Sequence, residues 1–315
     1  MQLSVILVSY NTESLLIDCL NSLRKSLDGF DYKIIVIDNA SLDGSVEIIA
    51  NNCSECLLIK NSVNVGFGRA NNQALPHLEG DYVLLLNTDA FVSPDSLVKT
   101  LAYMDRHAEC GILGTRLVGR DGVLQPSCRY FPTPWNLFLQ RSGLNRFFPR
   151  VQLVDDMSWD HTSVRQCDWV TGCFFLIRRE VIDQVGLFDP RYFLYYEEVD
   201  LCFAAKKAGW EVHYHPDTSA IHIGGESAKS DGEITESGRQ IEGLQIESEL
   251  LYFRKNHGWS GLMMFSLLNT VADLINLIKG MLKMRPYKQL RAQIEHSLMF
   301  WKLFFRTRAG YCPTR

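Results

Sequence analysis

The stretch that most constrains the fold is the apolar run Tyr82–Leu86, which changes abruptly into Asn87-Thr88-Asp89. A short apolar run of this kind is typical of a strand buried on both faces of a parallel sheet. Ligands bind just beyond the carboxyl ends of such strands, and oxygen ligands there suit Mg or Mn. The alternative is a polar turn that caps a helix. We expect Ser93 and Pro94 to cap and begin that helix, which leaves Asp89 as a candidate ligand.

The first third of the sequence alternates between apolar runs and segments with one apolar helical face. The predicted strands are Leu3–Val8, Tyr32–Ile37, Cys56–Ile59 and Tyr82–Leu86. This order predicts an α/β fold with a doubly wound, mostly parallel sheet and helices on both of its faces.

Polar residues follow three of these strands, and the three strand ends should meet at one edge of the sheet. They are Ser9 and Asn11, Asp38 and Asn39, and Asn87 and Asp89. Asp38 is well placed to accept a hydrogen bond from a base N–H or a ribose hydroxyl, although an Asx turn would also explain it. Gly66 and Gly68 lack the GxGxxG spacing and alone indicate only a turn.

The second half of the chain holds less regular patterns. Strands are predicted at Ile112–Val118, at 168–177 with Gly172 inside, and at Trp210–His213, and a short helix at Arg179–Val185. Pro126–Val164 is rich in Pro, Arg and aromatic residues without clear periodicity, which is typical of a binding loop or of a disordered segment.

Three carboxylates, Glu197, Glu198 and Asp200, follow the pair Tyr195-Tyr196. Like charges at this spacing, beside aromatic rings, raise the pKa of at least one carboxyl group. A raised carboxyl pKa is what a general base needs. The alternative is that the three charges simply favour the first turn of a helix. His222 lies further on, and a lone histidine is more often structural than a ligand.

The charge is unevenly distributed along the chain. The net charge is −4 over 315 residues, but eleven basic and two acidic residues follow from Arg254 onward, so this tail carries +9 and the rest −13. We expect no nucleic-acid partner. Nine scattered cysteines favour reduced thiols in a cytosolic protein, and Cys53 and Cys56 give only a weak zinc signal. We expect neither a signal peptide nor a membrane-spanning helix.

The basic tail is predicted to be helical from about Ile241. Between Leu262 and Lys283 the polar residues form one narrow stripe, and a second apolar stripe follows Pro286 among Lys and Arg. Basic amphipathic helices with Trp and Phe suit an anionic membrane surface. A helical hairpin packed on the protein, or on a second copy in a homodimer, is the alternative.

Seven spaced motifs together resemble inverting, nucleotide-sugar-dependent glycosyltransferases of family 2, which have the GT-A fold. Within the family they look most like the rhamnosyltransferase-like group that builds bacterial cell-surface polysaccharides. The resemblance covers about residues 3–225. The motifs are SVILVSYN, VIDNASLDGS, NVGFGRANNQAL, LLLNTD, TGCFFLIRRE, GLFDPRYFLYYEEVDLC and GWEVHYHPDTSAIHIGG.

The resemblance implies roles for individual residues. Asp89 matches the direct ligand of the family's Asp-x-Asp metal site, His222 a late histidine that completes it, and Glu198 the catalytic base. The nucleotide-sugar side comprises Ser9, Asn11, Asp38, Asn39, Asn64, Gly66, Arg69, Asn71 and Asn87. The acceptor side comprises Gly172, Glu197 and Asp200. Two residues depart from the pattern, since Asn87 and Glu198 each stand where Asp is usual.

These inferences predict a metal-dependent glycosyltransferase domain at 1–240 and a helical, basic amphipathic extension at 241–315. Its expected ligands are Mg or Mn, a dTDP- or UDP-linked sugar donor and a glycan or polyprenyl-linked acceptor. It is expected in the cytoplasm, on the inner face of the cell membrane. The alternatives are a nucleotidyltransferase, which should carry a glycine-rich basic loop after the first strand, and a catalytically silent sugar-binding subunit.

Overall fold

The computed structural model describes residues 2–224 and 239–315, so Gly225, the last residue of the resemblance, lies outside it. The strands are β1 (Gln2–Ser9), β2 (Asp31–Asp38), β3 (Leu57–Lys60), β4 (Tyr82–Asn87), β5 (Ala90–Val92), β6 (Cys110–Val118), β7 (Leu124–Gln125), β8 (Cys128–Arg129), β9 (Arg165–Cys167), β10 (Trp169–Val170), β11 (Phe174–Arg178) and β12 (Glu211–His222). The helices are α1 (Glu13–Ser26), α2 (Ser45–Asn52), α3 (Phe67–Asn72), α4 (Ser96–Arg106), α5 (Pro134–Ser142), α6 (Arg179–Val185), α7 (Glu197–Lys207), α8 (Arg239–Leu282) and α9 (Tyr287–Arg306).

The main sheet has the order β3-β2-β1-β4-β11-β6-β12-β5. Strand β1 pairs in parallel with both β2 and β4, and β6 pairs in parallel with β12. Strand β11 runs antiparallel between β4 and β6. The predicted, mostly parallel sheet is therefore confirmed, with one antiparallel strand inserted at its centre.

The sheet is buried on both faces because its strands carry apolar residues at alternating and at consecutive positions. In β1, Ile6 belongs to the core on one face, whereas Leu3, Val5 and Leu7 belong to the core on the other. Helix α1 covers the second face with the predicted apolar stripe of Leu15, Leu16, Cys19, Leu20 and Leu23.

Three local predictions are wrong. Helix α4 begins at Ser96 with Asp95 as its N-cap, rather than at Pro94, because residues 90–92 form β5. Gly172 lies in the turn between β10 and β11, not inside a strand. The segment taken as irregular contains α5, whose start is fixed by a capping box between Thr133 and Asn136.

Most cysteines behave as predicted. Buried free thiols among the described residues are Cys19, Cys110, Cys128, Cys167, Cys173 and Cys202. Cys53 and Cys56 instead form a disulfide. Glu55 lies beside them, and the three side chains form a group that could hold a metal ion only with both sulfurs reduced.

Helix α8 is the longest element and breaks at Gly258, where the backbone φ is 67°. Its first half enters the main core through Leu250, Leu251, Tyr252 and Phe253. An 18-residue window of α8 has a mean hydropathy of 1.6 and is 33% buried, so this helix is long and apolar enough to cross a membrane. This criterion concerns length and composition alone, so the expectation of no membrane-spanning helix stays a prediction.

The second half of α8 is oriented with its polar stripe inward. Ser266, Asn269 and Asp273 are 0%, 2% and 8% exposed. Asn269 accepts from Arg141 of α5 at 2.5 Å, and Asp273 accepts from Ser297 of α9 at 2.7 Å. Many apolar side chains consequently face outward, although Leu262, Phe265 and Ala272 are buried. Those more than one-third exposed are Trp259, Met263, Met264, Leu267, Leu274, Ile278, Met281 and Leu282.

Candidate active site

The three polar strand ends lie at one edge of the sheet, as predicted. Ser9 is in register with Asp38, and Val8 is in register with Asn87, because β1 lies between β2 and β4. The backbone N–H of Asn39 donates to the carbonyl of Ser9 at 2.8 Å, which holds the first two ends together.

Asp38 offers an unused acceptor at this edge. Its Oδ2 accepts from the backbone N–H of Ser41 at 3.1 Å. Its Oδ1 is buried and has no hydrogen-bond partner among the described residues. Buried polar atoms are nearly always paired in folded proteins, so an unpaired carboxylate oxygen marks a place for a ligand donor.

Ser9 and Asn11 shape the loop that follows β1. Asn11 has a positive φ of 51°, and its side-chain oxygen accepts from the backbone N–H of Leu42 at 2.7 Å. Ser9 exchanges a hydrogen bond with Thr12, 3.2 Å between their hydroxyl oxygens. Both side chains are thus engaged in shaping the wall beside Asp38.

The glycine segment predicted as a turn forms a loop that is tied to the second strand end. Asn39 donates to Asn64 at 2.8 Å, and Asn64 accepts from the backbone N–H of Gly66 at 2.9 Å. Gly66 has a φ of 90°, and a Cβ there would lie 2.5 Å from the carbonyl oxygen of Phe193. Only glycine fits this approach.

Arg69 and Asn71 lie in the helix that follows this loop, and their side chains bond to backbone carbonyls. Arg69 donates to the carbonyls of Pro190 at 2.7 Å and Arg315 at 3.1 Å. Asn71 donates to the carbonyl of Phe67 at 2.9 Å. Both side chains make structural bonds here, and nucleotide contact by either of them stays a prediction.

Asp89 and His222 meet although they come from distant parts of the sequence. His222 Nε2 lies 3.7 Å from Asp89 Oδ1, and Asp89 Oδ2 accepts from the backbone N–H of Gly224 at 3.1 Å. Gln125 Oε1 lies 2.8 Å from His222 Nδ1. In the tautomer with the proton on Nδ1, the imidazole donates a hydrogen bond to Gln125, and Nε2 keeps a lone pair for a metal ion. Burial lowers the pKa of His222, against the charge of Asp89. A carboxylate and a neutral imidazole that face each other fit a divalent cation.

Asn87 connects this pair to the turn that contains Gly172. Its backbone N–H donates to the carbonyl of Cys173 at 3.0 Å. The Cys173 thiol is buried, and the charges of Asp89 and Glu198 both add to the rise in its pKa that burial causes. The charges of the candidate metal ligand and of the candidate base therefore both reach Cys173.

Glu198 faces the Gly172 turn. A Cβ at Gly172 would lie 3.8 Å from the Glu198 Cβ and 3.9 Å from its Oε1. Oε2 of Glu198 has no hydrogen-bond partner among the described residues. Burial raises the pKa of Glu198, while backbone N–H groups and Arg129 oppose the rise. This environment suits a general base.

Glu197 and Asp200 share the inner side of α7, as their spacing predicts, and are 4% and 3% exposed. Burial raises the pKa of Glu197 well above its usual range, and the Glu198 charge adds to the effect. Asp200 accepts from Lys255 at 2.6 Å, Asn256 at 2.7 Å and Tyr192 at 3.2 Å. These bonds direct Asp200 toward α8, and an acceptor-side role for it stays a prediction.

Two site residues were missed by the sequence reasoning. Gln125 orients His222, and Arg129 stacks 4.8 Å from the centre of the Trp169 ring and pairs with Asp155 at 2.9 Å. Both lie at or beside the start of the segment rich in arginine and aromatic residues, and that composition was their only sequence signal.

Comparisons with known proteins identify the family of the chain. A family model described as "Glycosyl transferase family 2" matches residues 4–186. The chain is 30% identical over 233 residues to the rhamnosyltransferase WbbL of Escherichia coli K12, covering 69% of this chain and 82% of that protein. It is also 30% identical over 206 residues to the N-acetylglucosaminyl-diphospho-decaprenol L-rhamnosyltransferase of Mycobacterium tuberculosis H37Rv, covering 60% of this chain and 66% of that protein.

Solved structures share the fold. Staphylococcus aureus TarS 1–349, crystallised with UDP-GlcNAc, superposes with a TM-score of 0.53 at 16% identity, over 98% of this chain and 92% of that one. The mannosyltransferase PcManGT of Pyrobaculum calidifontis, in complex with GDP-Man and Mn²⁺, gives 0.57 at 14% identity, over 97% and 86%. The GT-A fold predicted from the sequence is thereby confirmed. On its family match, its relatives and its fold, the chain belongs to glycosyl transferase family 2.

Proposed function

We propose that this protein transfers a sugar from a nucleoside-diphosphate sugar to a hydroxyl group of a glycan acceptor, with inversion at the sugar carbon. The observation that carries the proposal is that one short turn contacts both halves of the candidate site. The carbonyl of Cys173 accepts from the backbone N–H of Asn87, two residues before Asp89, and Gly172 lies against Glu198. This turn therefore brings together a carboxylate–imidazole pair that fits a divalent cation and a carboxylate whose Oε2 has no hydrogen-bond partner among the described residues. Single displacement needs one group for the leaving diphosphate and another for the attacking hydroxyl.

The residues divide the reaction between them. The bond between the sugar carbon and the diphosphate oxygen breaks while the acceptor oxygen bonds to that carbon, and Glu198 takes the hydroxyl proton. Asp89 and His222 would hold Mg or Mn, which when bound neutralises the charge that grows on the diphosphate. One base and one inversion suffice, so no covalent sugar–enzyme intermediate is required.

The free oxygen of Asp38 supports a base that carries a ring N–H, which uracil, thymine and guanine have and cytosine and adenine lack. The match of Asp38 to the pyrimidine-binding position of the family then favours UDP or dTDP among these. The names of the Escherichia coli and Mycobacterium relatives favour rhamnose as the sugar, and the second also favours a polyprenyl-diphosphate-linked acceptor. We place the protein in polysaccharide or O-antigen synthesis on this basis.

Calorimetric titration of the full chain with UDP, dTDP and GDP, each with Mn²⁺, tests the donor assignment. We expect one of the pyrimidine nucleotides to bind at least tenfold more tightly than GDP, and Asp38→Ala to reduce that preference. Tighter binding of GDP would overturn the pyrimidine assignment. A wild-type protein that binds nucleotide sugars but turns over none of them with lipid-linked acceptors would instead be a silent binding subunit.

We further propose that the outward face of α8 and α9 lies on an anionic membrane, on the cytoplasmic side. The inverted orientation of α8 supports this, because it buries Ser266 and Asn269 and exposes Leu267 and Leu274. The +9 charge of the tail complements anionic lipid. A membrane position would bring the active site to a lipid-linked acceptor.

Binding to vesicles of neutral and anionic phospholipid tests this position. Truncation is unsuitable because Leu262, Phe265 and Phe300 belong to the core. Four changes to serine at Leu267, Leu274, Ile278 and Met281 should abolish sedimentation with the vesicles at low salt. The same change at Leu42 and Val123, exposed apolar residues elsewhere, should not. If wild-type protein ignores the vesicles and sediments as a dimer, the face is a homodimer contact.

A further inference from the structure

We infer that the first half of α8 is a positioning element for the catalytic base, with Lys255 as its central residue. The inference rests on the proposed function, because it takes Glu198 as the base. The family model matches residues 4–186, and α8 lies outside that range. The inference therefore gives a positioning role to a helix beyond the matched region.

Lys255 connects the two ends of residues 189–200, the segment that contains Glu198. Its ammonium lies 2.7 Å from Asp189 Oδ2 and 2.6 Å from Asp200 Oδ2. Asp200 is 3% exposed and also accepts from Asn256 at 2.7 Å. The Lys255 side chain is 31% exposed, whereas that of Asp200 is 4% exposed. Loss of the lysine therefore leaves a buried carboxylate without its only cationic partner among the described residues.

The middle of the segment is held by the same helix. Ser248 donates to the carbonyl of Leu194 at 2.9 Å. The Tyr196 hydroxyl donates to Glu249 Oε1 at 3.3 Å, and Arg141 of α5 pairs with that same oxygen at 2.5 Å. Helix α8 therefore contacts the segment at both ends and at two points between them.

The segment needs such support because its backbone is strained next to the base. Tyr195 and Tyr196 have φ values of 72° and 71°, the left-handed region that non-glycine residues rarely adopt. Strained residues persist only where the surrounding structure holds them, and they cluster at functional sites. These two residues set the direction in which α7 starts, and hence where the side chain of Glu198 points.

The opposite side of the segment meets the glycine loop of the donor side. The backbone N–H of Phe67 donates to the carbonyl of Phe193 at 2.8 Å, and the side chain of Asn72 donates to the carbonyl of Phe188. The segment is thus held between α3, which follows the glycine loop, and α8. Loosening the α8 contacts should move Glu198 while the strand-end ligands stay in place.

The test is to measure kcat and nucleotide affinity separately for Lys255→Met, which keeps the length of the side chain and removes its charge. We expect kcat to fall on the order of 10²-fold, the cost of a misplaced catalytic group, and the Kd for UDP or dTDP with Mn²⁺ to stay within about twofold. Lys255→Arg should recover most of kcat. The acid limb of the kcat profile should change in Lys255→Met but not in Lys255→Arg.

Glu247→Gln is the matched control, because Glu247 is a buried carboxylate of the same helix that bonds instead to Thr314 at 2.6 Å and 2.7 Å. We expect it to keep wild-type kcat. If Lys255→Met is unstable, Ser248→Ala removes a single bond to the segment and should lower kcat at unchanged Kd. Unchanged kcat in a folded Lys255→Met, or an equal loss in Glu247→Gln, would overturn the inference. An inactive wild-type enzyme would overturn the proposed function instead.

Discussion

His222 Nε2 lies 3.7 Å from Asp89 Oδ1, although the two residues come from distant parts of the sequence. The pairing of β5 with the end of β12 creates this proximity, since His222 is in register with Ala90. The backbone N–H of Ile223 also donates to the carbonyl of Asp89 at 3.1 Å. The short strand β5 is therefore the element that assembles the candidate metal site.

Asp89→Ala should abolish sugar transfer and weaken metal-dependent nucleotide binding, with the fold intact. Asp89 supplies the anionic oxygen of the candidate metal site, and an imidazole alone binds Mg or Mn poorly. Asn87→Ala should be milder because a neutral amide adds little to a divalent site. Turnover with Mn²⁺ and calorimetric binding of the nucleotide are the measurements. Wild-type turnover in Asp89→Ala would contradict the metal assignment.

Glu198→Gln should lower kcat by about 10²–10⁴-fold, the usual cost of removing a general base. Nucleotide-sugar binding should survive, because this carboxylate lies across the Gly172 turn from Asp89. Glu198→Asp should keep measurable activity. Glu197→Gln is the control, since Glu197 points to the inner side of α7. Should Glu197→Gln be the inactive variant while Glu198→Gln turns over normally, the base has been assigned to the wrong residue.

The parts of the fold that the sequence predicted well are those fixed by local patterns. The apolar runs of β1, β2 and β4 predict buried parallel strands, and their polar ends predict where a ligand binds. The register of Ser9 with Asp38 and of Val8 with Asn87 follows from those same runs. Because β1, β2 and β4 are parallel neighbours, the residues that follow them must meet at the same edge of the sheet.

The parts that failed depend on contacts between distant segments. Strand β5 is only three residues long and is held by its pairing with β12, so no local pattern predicts it. The polar stripe of α8 is visible in the sequence but does not show what it faces, and Asn269 is buried because Arg141 bonds to it. No periodicity within one helix identifies such partners.

Arg129→Gln should move the acid limb of the kcat/KM profile to higher pH. The base is active when deprotonated, and burial raises the pKa of Glu198 while the Arg129 charge opposes the rise. Removing the Arg129 charge lets the pKa of Glu198 rise further, so Glu198 becomes deprotonated, and the enzyme active, only at higher pH. Because Glu197 and Glu198 are neighbours, the apparent pKa belongs to the pair.

Arg165→Gln serves as the control for this shift. Arg165 also stacks on an aromatic ring, 3.8 Å from the centre of Trp159, and pairs with Asp156 at 3.1 Å. It is not among the charges that act on Glu198. The prediction fails if the Arg129→Gln profile is unchanged, or if it moves toward acid.

The stability of the protein should fall with acidification through His215. This residue is 5% exposed and packs against the Tyr103 ring at 4.8 Å. Burial lowers the pKa of His215, the Asp217 carboxylate opposes the shift, and the charges of Lys99 and Arg106 reinforce it. In the unfolded chain the same imidazole takes up a proton near pH 6.5.

The unfolded state therefore binds the proton more readily, and the stabilisation is complete above about pH 6.5 and is lost as pH falls through the lower, folded-state pKa. A single proton changes the free energy of unfolding by at most about 1.4 kcal/mol per pH unit. Urea unfolding of wild type and His215→Gln at pH 7.5 and 5.5 isolates this contribution, because the raised pKa values of Glu197 and Glu198 act equally in both proteins. Wild type should lose more stability between the two pH values than His215→Gln does. Equal losses would show that His215 takes up its proton as readily in the folded protein as in the unfolded chain.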